Sequence, residues 1–357
     1  MISPLEAALT KECYPSVRRC RQSPERIPTA TVPNCIYTYA VALAAKPPCS
    51  TPPAMCRYNL TRNPPPIHST KMTDTTDDTK RRAYWAEQME AGYELVQRIL
   101  PFEVEECGEG LADIHAAAEA GGVEMLFSDS KIVDDLDRIF YIREGLVDDV
   151  VAIGRDMNAL GWILKIEDGY RTRDMQTRLG RKPEVFDAIV QKCAWEHGGT
   201  PPAELVFRRA LVLVANLPKA GTHMSASAVD ISVFNRNDQT EIWRGGPYIE
   251  MSERTPMRSP FITAEHLENR LAITAMMEAH GFVHFPFEYW HFNKGDAMAH
   301  MLAGLPAPAR YGPVHWDAAA NSVTFYEDSL SPLNAMSKIE TEIVAALCRA
   351  QENEVTR

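Results

Sequence analysis

The chain has 357 residues, 45% of them hydrophobic, and a formal net charge of −11. That is enough apolar material for one sizeable domain plus an appendage. The acidic balance argues against a nucleic-acid partner, whose phosphates call for a basic surface, and supplies no basic patch for an anionic membrane.

Residues 1–78 read as a disordered extension rich in Cys and Pro. They hold Cys13, Cys20, Cys35, Cys49 and Cys56, the run Pro64-Pro65-Pro66, and no sustained helical or strand periodicity. The cysteine spacings fit no standard zinc pattern and their number is odd for pairing. An alternative is that this stretch lies upstream of the natural start, which would then be Met72. The apolar run 35–45 is about eleven residues, too short to span a bilayer. It could form the core of a signal peptide, but the long stretch ahead of it is unusual for one, so cytoplasmic residence is expected, with periplasmic export as the alternative.

Residues 79–330 read as the main globular domain. Ala83 to Leu100 is an amphipathic helix, with Trp85, Met89, Tyr93, Leu95, Val96 and Ile99 largely three or four apart. A connection containing Gly and Ala, 107–122, carries no assignable role. A second long helix over 143–160 leads into a strand from Trp162 to Ile166, which runs out through Glu167-Asp168-Gly169-Tyr170 and delivers Arg171 to a loop. Pro183 to His197 and Ala203 to Asn216 are helical, and Ala228 to Phe234 is a strand. Ala264 to His280 is a helix stopped by Gly281. Two strands follow around Val283 and Phe292, and 331–357 forms a C-terminal helix and tail, the helix running from Leu330 to Ala350. The expected fold is α+β, a central, largely antiparallel sheet flanked by helices.

The chemistry concentrates in two stretches, Thr222 to Asp230 and Phe287 to Phe292. Between them they offer His223, Asp230 and His291 as donors to one zinc ion, with Glu288 to spare. A structural zinc site fills all four tetrahedral positions with protein groups, usually cysteines. A catalytic site uses three and leaves the fourth to water, which is what this inventory provides. His223 and Asp230 have opposite parity, as do Glu288 and His291. In an unbroken strand each pair would face opposite sides of the sheet. A loop or bulge around Ala226 and a turn at Pro286-Phe287 are therefore required. His284 is the rival ligand, but its strand position points to a structural role. Cys193 near His197 has the spacing of a packed helical face rather than of a nucleophile and its base.

With Arg171, His223 to Asp230 and Glu288-Tyr289-Trp290-His291 in this order, the chain resembles the zinc D-alanyl-D-alanine dipeptidases of the vancomycin-resistance type. More broadly it is similar to the zinc D,D-peptidases and hedgehog domains that share their fold. Tyr141 to Gly145, Asn269-Arg270-Leu271, Gly281-Phe282 and Phe292 to Asp296 add to the match, which spans roughly 135–300. The resemblance implies one zinc ion on His223, Asp230 and His291, Glu288 as the base, and Arg171 as the group that stabilises the oxyanion. It also implies a small D-amino-acid dipeptide or peptidoglycan fragment as substrate. Two departures stand out. Ala226 replaces a glycine of many relatives. Where the dipeptidases carry a Phe-Asp pair whose aspartate holds the substrate's amino group, this chain has Tyr248-Ile249, with Glu250 one residue on. Tyr248 and Glu250 are accordingly the expected substrate contacts. A D,D-carboxypeptidase on stem peptides and a non-catalytic zinc-containing binding module are the alternatives. Retention of both Arg171 and Glu288 favours an enzyme over the module.

Overall fold

The computed structural model describes residues 75–355, so nearly all of the extension read over 1–78, including the run 35–45, lies outside the described residues. In chain order the elements are α1 (Thr75–Ile99), β1 (Leu111–Asp113), α2 (Ile114–Ala120), β2 (Met125–Phe127), β3 (Tyr141–Arg143), α3 (Glu144–Ala159), β4 (Trp162–Asp168) and α4 (Arg173–Leu179). There follow α5 (Pro183–His197), α6 (Ala203–Leu213), β5 (Ala228–Asn235), α7 (Ala264–Ala279), β6 (Val283–His284), β7 (His291–Asn293), α8 (Ala297–Leu302), β8 (Val314–Asp317), β9 (Ser322–Phe325) and α9 (Met336–Val355). No helix among the described residues is long and apolar enough to cross a membrane.

The fold is α+β. A five-stranded sheet has the order β2-β4-β5-β7-β6; β2 lies parallel to β4 and the other pairs are antiparallel. One face of this sheet is a core. Leu164, Ile166, Val229, Ile231, Val233 and Phe292 pack there with Ile153 and Met157 of α3 and Ile273 and Met277 of α7. Because side chains alternate along a strand, Asp230 and Ser232 of β5 point to the other face, and that face carries the site. A second core is mainly helical. Trp85, Met89 and Val96 of α1 meet Ile189 and Cys193 of α5, Val206 of α6, and Ile343 and Ala346 of α9.

Several boundaries differ from expectation. The first helix begins at Thr75 rather than Ala83, and its opening turns lack an apolar stripe because they are held by charge. Asp77 pairs with Arg81 and Asp78 with Arg82 at helical spacing, and Arg81 also reaches Glu253 at 2.6 Å. The connection 107–122 is ordered: β1 pairs antiparallel with β3, and Asp113 caps α2 by accepting from the amides of His115 and Ala116. The C-terminal helix starts at Met336 rather than Leu330 and α6 ends at Leu213 rather than Asn216. Asn216 and Asn334 instead tie their two loops together: the Asn216 amide donates to the Asn334 carbonyl at 2.8 Å and accepts from its N–H at 2.9 Å.

Candidate metal centre

Strand register builds most of the site. Asp230 of β5 lies directly opposite His291 of β7, so both side chains emerge on the same face. On its other side β5 pairs with β4, Ile166 opposite Ile231 but Asp168 opposite Asp230, which leaves Glu167 as the extra residue of a bulge. A bulge re-aims the side chains beyond it. Here it turns Asp168 to the face that holds Asp230; without it, Glu167 would stand there.

His223 arrives from a 3-10 turn, Thr222–Ser225, that ends on Ala226 in the left-handed region at φ 52°. This is the interruption that the parity of His223 and Asp230 requires. Between Glu288 and β7 the break is instead a turn at Tyr289-Trp290, closed by the His291 amide donating to the Glu288 carbonyl at 3.3 Å; the expected turn at Pro286-Phe287 lies ahead of Glu288 and parts it from β6. Two contacts clamp the His223 turn to the loop after β4. Nδ1 of His223 lies 2.7 Å from the Gly169 carbonyl, and the Arg171 amide donates to the His223 carbonyl at 3.1 Å. Gly169 is needed where this loop passes the backbone of Ile139, since a Cβ there would sit 2.7 Å from the Ile139 carbonyl oxygen.

With Nδ1–H committed to a carbonyl, Nε2 of His223 carries the lone pair. It is buried without a hydrogen-bond partner, 3.2 Å from Oδ1 of Asp230. Nδ1 of His291 lies 2.9 Å from the same oxygen, while its Nε2 lies 2.8 Å from Oγ1 of Thr222. The donor atoms of His223, Asp230 and His291 all fall within 4.8 Å of one another, and all three residues are buried. Two imidazole nitrogens and one carboxylate oxygen, with each ring oriented through its second nitrogen, form a set that fits zinc. The orphaned Nε2 is the atom a metal would satisfy.

The charges around these donors are tightly matched. Burial opposes ionisation of Asp230, but His223 and His291 outweigh it and hold the carboxyl well below its usual range. Burial pushes His291 down in spite of Asp230, which favours the neutral ring that a metal needs. Arg171 donates from Nε to Asp168 at 2.7 Å, from Nη1 to Gln176 at 3.3 Å and from Nη2 to Asp230 at 3.3 Å. Burial disfavours its charge, but Asp168 and Asp230 prevail and the guanidinium stays protonated. Of the five N–H groups of an arginine, two remain for a ligand. For Glu288, burial first and the nearby Asp230 second raise the carboxyl well above its usual value, with Arg171 pulling the other way.

These groups line one cavity of about 520 Å³, whose wall includes Arg138, Arg171, His223, Tyr248, Glu250 and Glu288. The hydroxyl of Tyr248 donates to Oδ2 of Asp230 at 2.9 Å. Oε1 of Glu250 accepts from Ser252 and Arg254, each at 2.5 Å, while its Oε2 is buried with no donor. His284 stands apart on edge strand β6, bonded to Glu278 at 2.8 Å. Cys193 is core, its thiol pushed by burial to about 12.

Sequence reasoning missed three contributors. Asp168 receives both Arg171 and Arg138, the latter at 3.2 Å; the Asp-Gly-Tyr turn was visible, but the bulge that aims Asp168 was not. Arg138 had no motif. Thr222 stands next to His223 in sequence, yet only the fold brings its hydroxyl to His291.

A metal-ready His-Asp-His set beside a raised carboxyl and a fixed guanidinium is the equipment of a zinc peptidase. The comparisons agree: the peptidase M15 family, D-ala-D-ala dipeptidase, matches residues 156–308, a span holding Arg171, Glu288 and all three donors. A D-alanyl-D-alanine dipeptidase of Enterococcus faecalis (strain ATCC 700802 / V583) is 24% identical over 141 residues, 39% of this chain and 65% of that protein. The chain thus spans just under two thirds of this relative's length. Among solved structures, the LdcB LD-carboxypeptidase is 16% identical with a TM-score of 0.29, over 53% of this chain and 72% of that one. A mutant of the vancomycin resistance D,D-pentapeptidase VanY in complex with Zn(II) is also 16% identical with a TM-score of 0.29, over 51% and 93%.

Proposed function

We propose that this protein hydrolyses D-alanyl-D-alanine, or a closely related cell-wall dipeptide with a free amino group, using one zinc ion held by His223, Asp230 and His291. The observation that carries this reading is Glu250. Its Oε1 is fixed by Ser252 and Arg254 while Oε2 faces burial without a donor, in the wall of the cavity that holds the metal donors. A buried anionic oxygen left unpaired is costly, and an ammonium group is the partner that relieves it. Glu250 thus supplies the acid that Ile249 does not.

When bound, zinc supplies Lewis-acid chemistry, lowering the pKa of water and polarising a carbonyl. Glu288 takes the proton of the attacking water and passes it to the departing amine, a task suited to a carboxyl raised well above its usual value. The free N–H groups of Arg171 bind the developing oxyanion, and Asp168 and Gln176 keep the guanidinium in place for it. A binding module has no use for that combination.

A second reading, a D,D-carboxypeptidase on stem peptides, is favoured by Ile249, which is 41% exposed at the cavity wall and offers an apolar contact where a dipeptidase has a carboxylate. The test is release of D-alanine from D-Ala-D-Ala by zinc-loaded protein, beside N-acetyl-D-Ala-D-Ala and a chelated control. Cleavage of the free dipeptide alone, lost on chelation, is expected. Preference for the blocked substrate would transfer the assignment to the carboxypeptidase, and no cleavage of either would sink both.

A further inference from the structure

We infer that Tyr248 is a positioning residue for the metal centre: its hydroxyl, with Arg171, holds the outer oxygen of Asp230 so that a single carboxylate oxygen faces the two imidazoles. The inference rests on the reading of His223, Asp230 and His291 as zinc ligands. The two oxygens of Asp230 have separate partners. Oδ1 lies 2.9 Å from Nδ1 of His291 and 3.2 Å from Nε2 of His223. Oδ2 accepts from Tyr248 at 2.9 Å and from Arg171 at 3.3 Å. The shorter, better-formed contact is the tyrosine's.

Tyr248 is itself held from several sides. Its ring meets Trp290 edge-on at 5.8 Å, and the Arg138 guanidinium lies 5.9 Å from its centroid. The backbone just ahead of it is fixed by Tyr289, whose hydroxyl donates to the carbonyls of Gly246 at 2.5 Å and Pro247 at 2.9 Å. Tyr289 and Trp290 belong to the same short segment as Glu288 and His291. One stretch of chain therefore carries one ligand, His291, and the proposed base, and also aims the hydroxyl that restrains a second ligand, Asp230. A carboxylate pinned by its outer oxygen cannot swing to grip the ion with both oxygens, which keeps positions open for water and substrate.

Tyr248→Phe keeps the ring against Trp290 and removes only the hydroxyl. Two quantities are read: zinc affinity by competition with a chromophoric chelator, and the visible absorption of the cobalt-substituted protein, which reports coordination number. The expected result is a zinc dissociation constant raised about tenfold or more, together with weaker cobalt bands as Asp230 becomes bidentate. Metal-free samples of both proteins, compared by thermal unfolding, separate this from loss of fold. If the unaltered protein binds zinc and the variant matches it in affinity and spectrum, or binds more tightly, the role of Tyr248 is overturned while the metal centre stands. If the unaltered protein binds no zinc, the reading of the centre itself fails.

Discussion

The metal corner and the loop from Arg244 to Met257 meet in one cavity but are built in different ways. The corner is set by strand register: Asp230 opposite His291, Asp168 brought opposite Asp230 by a bulge, and the His223 turn clamped to Gly169. The loop has no ladder of its own. Arg270 holds it by donating to the carbonyls of Arg244 at 2.7 Å, Pro256 at 2.8 Å and Arg254 at 2.9 Å, and Thr255 bridges to the Glu250 carbonyl at 2.6 Å. Register fixes a position through many backbone bonds at once, whereas side-chain ties fix it one contact at a time. On the proposed reading, the chemistry sits on the part that resists change and the substrate preference on the part that can drift. Ile249 where the dipeptidases carry an aspartate, with Glu250 as the proposed compensating acid, is then a feature of the second kind.

The sharpest way to break this division is to strike the corner. Asp230→Ala removes a donor that no neighbour on β5 can replace, so bound zinc and peptidase activity should disappear together, as measured by metal analysis and D-alanine release. Glu288→Gln should behave differently. It keeps the donor set, so zinc content should be unchanged while kcat falls by about 10²–10⁴. A Glu288→Gln protein of full activity would remove the proposed base, and an Asp230→Ala protein with unchanged zinc would remove the proposed ligand.

A smaller effect, confined to the loop, is expected from Gly246→Ala. A Cβ at Gly246 would lie 2.1 Å from Oε2 of Glu250, so the carboxylate must move away from its present place. Losing a charged hydrogen bond to the substrate amine is worth about 1.5–3 kcal/mol, or roughly ten- to hundredfold in kcat/KM on the free dipeptide. Zinc affinity should be untouched. Equal loss on free and N-acetylated substrates would mean that Glu250 does not read the amino group.

The same division explains what was legible in the sequence. The donors, the proposed base and Arg171 lie in short contiguous stretches, and the parity of His223 against Asp230 was enough to demand the break that the structure places at Ala226. The long helices α5 and α7 were also legible within a residue or two. Asp168 was not, because a bulge depends on the partner strand. Nor was the start of α1, whose first turns rest on ion pairs with Glu253 and along the helix rather than on an apolar face. The ties of Arg270 to loop carbonyls leave no pattern at all, since a backbone acceptor looks the same in every residue.

The finest test uses Glu288 to weigh the corner's cost in stability. Burial and Asp230 raise its carboxyl in the folded protein, while in the unfolded chain it titrates near the ordinary value of about 4.3. Below that value both states are protonated and the raised pKa has no effect. As pH climbs through the window between the two values, the folded state keeps a proton that the unfolded state has lost, so folding is progressively disfavoured. Glutamine has no such titration. Metal-free Glu288→Gln should therefore unfold at a higher temperature than the metal-free parent at pH 7, with the gap shrinking towards pH 4, as followed by thermal unfolding across that range. The contribution of Asp230 runs the opposite way, its lowered carboxyl losing stability only as pH falls into the acid range, so it cannot imitate this trend. A gap that widened on acidification would show that Glu288 is ionised and satisfied in the folded protein, and the base would then need another source for its proton affinity.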